Sequence, residues 1–401
     1  MSPYIFVTSL CIVIIVSFLF NQLAKKTNIP SVLMLILLGM GIKVLLSYFG
    51  IEPEYFDTLE ILGIVGLIMI VLEAALDLKL SKDKWPIIWK SFTIAFFSLA
   101  ATSILITWII QLFVQNIGFL PALIHAIPFS IMSSAIIIPS VGNLSKYKRE
   151  FMIYESTFSD ILGIMLFYFL IDNYELDSVG HMMIKLGSNI FLTTILAILL
   201  SYGLLLIIQN IKGQAKFFLF LSVLVLMYAV AKMFHLSSLL IILMFGLLLS
   251  NYKLLTFGKF RKWLKDDAID NVFDNFNMIT IETSFLVRTF FFVVFGISLS
   301  LDSLSNLSVW VMSGAFILVM FLIRVLSFSV FDRKDMIPQV FLAPRGLISI
   351  LLFYAIPENF HTTDFPGSGA LLIVILSSSI IMAVGLIIDK SREERGRINR
   401  D

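Results

Sequence analysis

The chain has 401 residues, 59% of them hydrophobic and 14% charged, with a net charge of +2. A mean hydropathy of +0.98 excludes a soluble globular protein and defines a polytopic membrane protein. The small net charge carries no message about nucleic acid, and the single cysteine, Cys11, excludes disulfides within the chain and any cysteine metal cluster.

A membrane-crossing helix needs about 20 mostly apolar residues. On that rule the sequence contains about thirteen spans, near 3–23, 30–49, 58–77, 86–114, 119–143, 151–171, 182–210, 216–234, 236–250, 276–300, 308–331, 335–356 and 366–388. The eighth and ninth share one run, split at Lys232 to Ser237. The first span lacks positive charge at its amino end and is followed by Lys25-Lys26, so it reads as a retained span rather than a cleaved signal.

Charge placement gives the orientation. Alternate connections hold Lys25 and Lys26; Lys79, Lys82 and Lys84; Lys146, Lys148 and Arg149; Lys212 and Lys216; a cluster from Lys253 to Lys265; Arg333 and Lys334; and the segment from Lys390 to Arg400. The intervening connections carry Glu52, Glu54 and Asp57; Asp172, Glu175 and Asp177; Asp302; Glu358 and Asp364, with Lys232 as their one basic residue. The positive-inside rule then places the amino end outside and the carboxyl end in the cytoplasm. Residues 1–388 read as one transmembrane domain, and 389–401 as a short charged cytoplasmic tail with no room for a soluble regulatory domain. The polar segment Tyr252 to Asn277 reads either as an interfacial helix or linker between two halves, or as a solvated loop.

Few charges remain inside the spans. They are Glu73 and Asp77 in span 3, Lys90 in span 4, Glu155 and Asp160 in span 6, Arg288 in span 10, Arg324 in span 11 and Arg345 in span 12. Asp160 is the most telling, lying in mid-span with no basic residue in its own stretch. A carboxylate at that depth is a functional site by default. Arg324 and Arg345 come out at similar depth, and opposite charges at one depth are expected to face each other. Lys90, at the start of its span, is expected to snorkel. His125 and His235 lie near outer span ends and His181 and His361 in outer loops, without the spacing of a metal site. No phosphate-binding glycine loop or nucleophile motif suggests an enzyme or a cofactor.

Spans 5 and 12 both carry helix breakers. Ser133-Ser134-Ala135 precedes Pro139 and Gly142 in one, and Pro344-Arg345-Gly346 interrupts the other. Paired interrupted helices, one per half, indicate a transporter of inverted repeats, in which unwound backbone and half-helix ends supply ion ligands near mid-membrane.

Five segments in order resemble those of the monovalent cation:proton antiporters, over nearly the whole chain. Leu72-Glu73-Ala74-Ala75-Leu76-Asp77-Leu78 is similar to the family's Phe-Glu-Ala-Ala-Leu-Asn-Leu, and Tyr154-Glu155-Ser156-Thr157-Phe158-Ser159-Asp160 to Gly-Glu-Ser-Leu-Leu-Asn-Asp. Phe290-Phe291-Phe292 leading to Gly296, Leu322-Ile323-Arg324-Val325-Leu326, and Pro344-Arg345-Gly346-Leu347-Ile348-Ser349 resemble its later helices. The resemblance implies the all-α sodium/proton antiporter fold, with two discontinuous crossing helices, usually as a homodimer and without a cofactor. It implies that Asp160 is the titrating, cation-binding carboxylate, that Glu155 and Arg324 form a structural ion pair beside it, and that Arg345 steadies the crossing.

Two departures matter. Ser159 stands where the family often has Asn or Asp, which resembles the electroneutral branch, one cation for one proton. Ile137-Ile138-Pro139 replaces the frequent Thr-Asp-Pro and removes a polar ligand. Ser133 and Ser134 are the nearest hydroxyls to replace it, or are small residues that permit close helix approach. Glu73 either makes a buried contact or snorkels; Arg288 matches no family arginine, and either pairs with Glu73 or Glu282 or tunes the cytoplasmic entrance. The expected function is exchange of Na⁺ or K⁺ for protons across the plasma membrane. A degenerate relative that senses ions or conducts cations passively, and a sodium-coupled symporter of the same fold, are the alternatives.

Overall fold

The computed structural model describes residues 3–27, 31–48, 56–174, 179–209, 216–233, 238–255, 263, 266–299, 306–332, 336–360 and 365–398. All regular structure among them is helical. The helices are α1 (Pro3–Thr27), α2 (Ser31–Tyr48), α3 (Phe56–Asp77), α4 (Trp85–Phe113), α5 (Phe119–Ser130), α6 (Ser134–Ser140), α7 (Lys146–Asp172), α8 (Val179–Ile208), α9 (Lys216–Met233), α10 (Ser238–Ser250), α11 (Tyr252–Leu255), α12 (Asp266–Ser298), α13 (Leu307–Phe331), α14 (Leu347–Tyr354) and α15 (Gly367–Ile398), with a 3₁₀ turn at Gln339–Phe341 before α14.

Among the described residues, eight helical stretches are long and apolar enough to cross a membrane, and three shorter apolar helices lie in α8, α9 and α10. Helix α3, of 22 residues, and the broken segment ending in α14 account for the other two sequence spans. The all-helical fold expected from hydropathy is therefore present span for span.

The chain divides into two compact units, one comprising Met1–Gly63, Ile87–Gly163 and Leu286–Asp401, the other Ile64–Pro86 and Ile164–Phe285. The boundaries fall inside α3, α4, α7 and α12. In the first unit α13 packs on α15 and α14 on α5. Phenylalanines fill this core: Phe129 meets Phe316 edge-on at 5.0 Å, and Phe151 meets Phe328 at 5.7 Å. Helices α2 and α12 approach backbone to backbone, since a Cβ on Gly39 would strike the Val293 carbonyl and one on Gly296 the Ile36 carbonyl. Such small-residue contacts replace the hydrophobic drive that is absent in lipid.

In the second unit α10 packs on both α8 and α9. Asn251, just past α10, ties down the chain leaving α3: its Oδ1 accepts from the Leu80 N–H at 2.6 Å and its Nδ2 donates to the Leu78 carbonyl at 2.8 Å. Ser250 donates to the Leu76 carbonyl at 2.7 Å. Carbonyls at a helix end have no partner in their own helix, and these side chains supply one.

From Asp266 onward the polar segment after Tyr252 is already the first part of α12. Asp270, one turn into α12, accepts from the Tyr252 hydroxyl at 2.8 Å and pairs with Lys253 at 2.7 Å. Acidic residues in a first helical turn are favoured there by the positive end of the helix dipole, so the helix starts about ten residues before its apolar part. Residues 256–262 and 264–265 of that segment, and His235 and His361, lie outside the described residues.

Candidate functional site

Two interrupted helices meet in the first unit. The first breaks between α5 and α6, where Ile131 and Ser133 take extended dihedrals, φ −77° with ψ 131° and φ −80° with ψ 112°. The second is unwound from Leu342 to Gly346, between the 3₁₀ turn and α14. The unwound strands touch at one point, where the Ser133 N–H donates to the Pro344 carbonyl at 2.9 Å. A Cβ on Gly346 would lie 2.7 Å from both Ser133 Oγ and Ile136 Cδ1, so any larger residue here makes those side chains shift.

The first break falls at residues 131–133, not at Pro139, which lies inside α6 and is exposed. The reason is external to the helix. Donors freed by unwinding find fixed acceptors: the Met132 N–H bonds Ser159 Oγ at 2.9 Å, and the Ser134 N–H bonds Asp160 Oδ2 at 3.0 Å. Buried backbone donors must be satisfied in lipid, and α7 satisfies them here.

Helix α7 places two carboxylates of different surroundings along one length. It begins at Lys146, five residues before its apolar part, so Asp160 lies about 21 Å of helix from that end. Glu155 is fully buried and makes a two-pronged pair with Arg324, Nη1 to Oε1 at 2.6 Å and Nη2 to Oε2 at 3.0 Å. Arg324 spends its other donors on the Gln339 and Val340 carbonyls, at 2.7 to 3.1 Å. Every strong site of this pair is satisfied, the condition for a buried ion pair to be tolerated. Asp160 is 5% exposed, and its Oδ1 has no hydrogen-bond partner among the described residues.

The expectation that an arginine faces Asp160 is not met. Arg345 binds backbone instead: Nε donates to the Phe129 carbonyl at 2.8 Å, Nη2 to Ser130 at 3.2 Å and Nη1 to Ala343 at 2.8 Å. Phe129 and Ser130 end α5, so the guanidinium caps the carboxyl end of a half-helix, where positive charge is favoured. The Arg345 backbone N–H donates to Ser378 Oγ at 3.0 Å, a partner on α15 that no sequence signal identified.

Ser133 Oγ is buried without a hydrogen-bond partner among the described residues, Ser134 contributes its backbone N–H, and Ser159 holds the Met132 amide. Ser159, Glu155, Arg324 and Arg345 also line a cavity of about 20 Å³, together with Thr102 and Ser130. That is room for one water molecule.

Glu73 is half-buried in α3 within the second unit, and Arg288 is half-buried in α12 within the first. Lys90 does not simply snorkel: it pairs with the buried Asp332 at 2.7 Å. His125 is buried, with Nδ1 against the Pro121 carbonyl at 2.9 Å and its ring edge-on to Phe365. No group of three or more His, Cys, Asp or Glu side chains suited to a metal occurs among the described residues.

Two crossed broken helices with a buried carboxylate against the crossing define a secondary transporter of the membrane. The chain matches the sodium/hydrogen exchanger transmembrane family over residues 10–388, and it belongs to that family. Its fold is similar to the structure of the sodium proton antiporter MjNhaP1 from Methanocaldococcus jannaschii at pH 8, with a TM-score of 0.74, 20% identity, and coverage of 96% of this chain and 97% of that one. An electron-microscopy structure of the same antiporter matches with a TM-score of 0.69 at 18% identity, covering 98% of this chain and 96% of that one. A search of curated protein sequences gave no significant match.

Proposed function

We propose that this chain exchanges a monovalent cation, Na⁺ or K⁺, for protons through one titrating group, Asp160, in an electroneutral cycle. The observation that carries this reading is the unpartnered Asp160 Oδ1, in a cluster whose other charges are all engaged. The cluster holds two carboxylates, Asp160 and Glu155, and two guanidinium groups, Arg324 and Arg345, and is neutral when Asp160 is ionised. Adding one proton or one monovalent cation to Asp160 gives the same net charge. A site that binds either, and never both, couples the two fluxes one to one. Alternating access would then carry two loaded forms of equal charge across the membrane, which the cost of buried charge favours.

In this reading Glu155 and Arg324 position α7 against α13, Arg345 fixes the crossing, and Ser133, Ser134 and Ser159 supply oxygens or hold backbone around the cation. Residues 1–388 carry the transport function and 389–401 form a cytoplasmic tail. Placement in the plasma membrane with the amino end outside rests on the basic connections. Assembly as a homodimer rests on the family resemblance.

The test is proton flux in sealed proteoliposomes with an internal pH dye, on adding Na⁺, K⁺ or Li⁺, for the wild type and Asp160→Asn. Cation-driven pH change in the wild type, absent in the variant, is the expected result and names the cation. No response to any cation by correctly inserted wild type sinks the exchange reading in favour of a sensor, and cation flux without matching proton movement indicates a channel.

A further inference from the structure

Many hydroxyls in the buried helices of the first unit follow a rule; four there, Ser103, Ser133, Ser349 and Ser379, have no hydrogen-bond partner among the described residues, and two of these sit at the broken helices. Thr107, Ser130, Ser140, Ser156 and Ser313 each return their O–H to the carbonyl four residues earlier, at 2.6 to 3.0 Å. That bond is the usual way to hide a hydroxyl inside a helix. Ser133 and Ser349 make no such bond: both hydroxyls are buried, Ser349 at 1% exposure, and neither has a hydrogen-bond partner among the described residues. They share a position in the fold. Ser133 is the residue before α6, and Ser349 is the third residue of α14. Each therefore begins the half-helix that follows an unwound strand, where the preceding backbone is not helical.

The face of α14 on which Ser349 lies is set by Phe353, four residues after it in the helix, which meets Phe129 of α5 with ring centroids 6.2 Å apart; positions four residues apart share a face. Gly346, the non-helical residue just before α14, abuts Ser133 and Ile136. Ser349 thus lies between two contacts with the chain around the first break, on the side of α14 that faces it. The same break holds Asp160 through the Ser134 N–H, leaving Asp160 Oδ1 unpartnered.

We propose that Ser349 is a cation ligand, its hydroxyl joining Ser133 Oγ and Asp160 Oδ1 in a three-oxygen site drawn from both broken helices and α7. Hydroxyl and carboxylate oxygens are the hard donors suited to a small alkali cation. Each hydroxyl left dry carries the desolvation cost of an unmade hydrogen bond, and a bound cation offsets it. Ser349 thereby supplies from α14 a polar contact that Ile137, buried at 0% exposure, does not supply from α6. The inference rests on the exchange reading of Asp160 and extends it to a residue that determines affinity.

The experiment uses the full-length protein and Na⁺ as the probe, with Asp160→Asn measured alongside. Ser349→Ala is expected to raise the KM for Na⁺ about tenfold, the size of one lost ligand contact, with kcat within about twofold. Ser349→Thr, which keeps the hydroxyl, is expected to restore the KM. Without cation, Ser349→Ala is expected to melt no lower than the wild type, and to lose part of the rise that Na⁺ produces. An unchanged KM in Ser349→Ala, an equal loss in Ser349→Thr, or a lower melting temperature in the absence of cation overturns the assignment. Wild-type transport retained by Asp160→Asn overturns the exchange reading beneath it, and is told apart by that variant alone.

Discussion

Glu155 and Asp160 lie five residues apart on one helix, both buried, and the protein treats them in opposite ways. Both oxygens of Glu155 are closed off by Arg324, which is itself anchored to two backbone carbonyls. Oδ2 of Asp160 accepts from the Ser134 amide, and Oδ1 has no hydrogen-bond partner among the described residues. A carboxylate whose every acceptor site is filled has nothing to exchange, whereas one that keeps a free oxygen in a dry site binds whatever small positive species reaches it. Burial alone therefore does not mark a transport site; incomplete satisfaction does.

The contrast is broken most severely at Asp160. Replacement by Asn is expected to lower cation-driven proton flux by at least about 100-fold, since a neutral amide cannot carry a proton for a cation, while leaving the protein folded. Size-exclusion behaviour and melting temperature check the second half. Arg324→Ala should do the reverse, costing about 3–5 kcal/mol of stability because Glu155 is left as an uncompensated buried charge. Replacing both members together, Glu155→Leu with Arg324→Met, is expected to recover much of that loss, measured as thermal stability in detergent. If the double variant also transports, the pair is scaffold alone.

Smaller effects sharpen the picture. Arg345→Lys removes the planar fork that serves three carbonyls, and about 1–3 kcal/mol of stability should go with it, because carbonyls at the end of α5 lose their donors. Ser133→Ala is expected to change stability by less than about 0.5 kcal/mol, as its hydroxyl makes no protein bond, and to raise the cation KM a few-fold. Measuring both on one preparation separates a ligand from a packing residue.

Much of this was legible in the sequence because charge inside hydrocarbon is rare and each instance carries information. Asp160, Glu155, Arg324 and Arg345 stood out on that ground, and Pro344 with Gly346 marked the second break. What the sequence hid has one physical cause: the partners are backbone or distant. Arg345 serves carbonyls, which have no residue-type signature, so a search for opposite charge at equal depth misassigned its partner. The first break lies at 131–133 because Ser159, Asp160 and Pro344 receive the freed amides, and Pro139 drew attention to the wrong turn. Lys90 read as a snorkelling cation because its mate, Asp332, lies 242 residues on, beyond the apolar part of another span. The start of α12 at Asp266 was hidden in a segment that reads equally as an interfacial helix, linker or loop, because acidic first turns look like loops until their helix is seen.

The account stands on a single group that carries either a proton or a cation. Its most direct test is calorimetric binding of the transported cation to purified protein, repeated in buffers of different ionisation enthalpy, which yields the number of protons released per cation bound. At a pH where the free site is protonated, the account predicts close to one proton released per cation in the wild type, and no binding by Asp160→Asn. Cation binding that releases no protons, or that survives in Asp160→Asn, would contradict it.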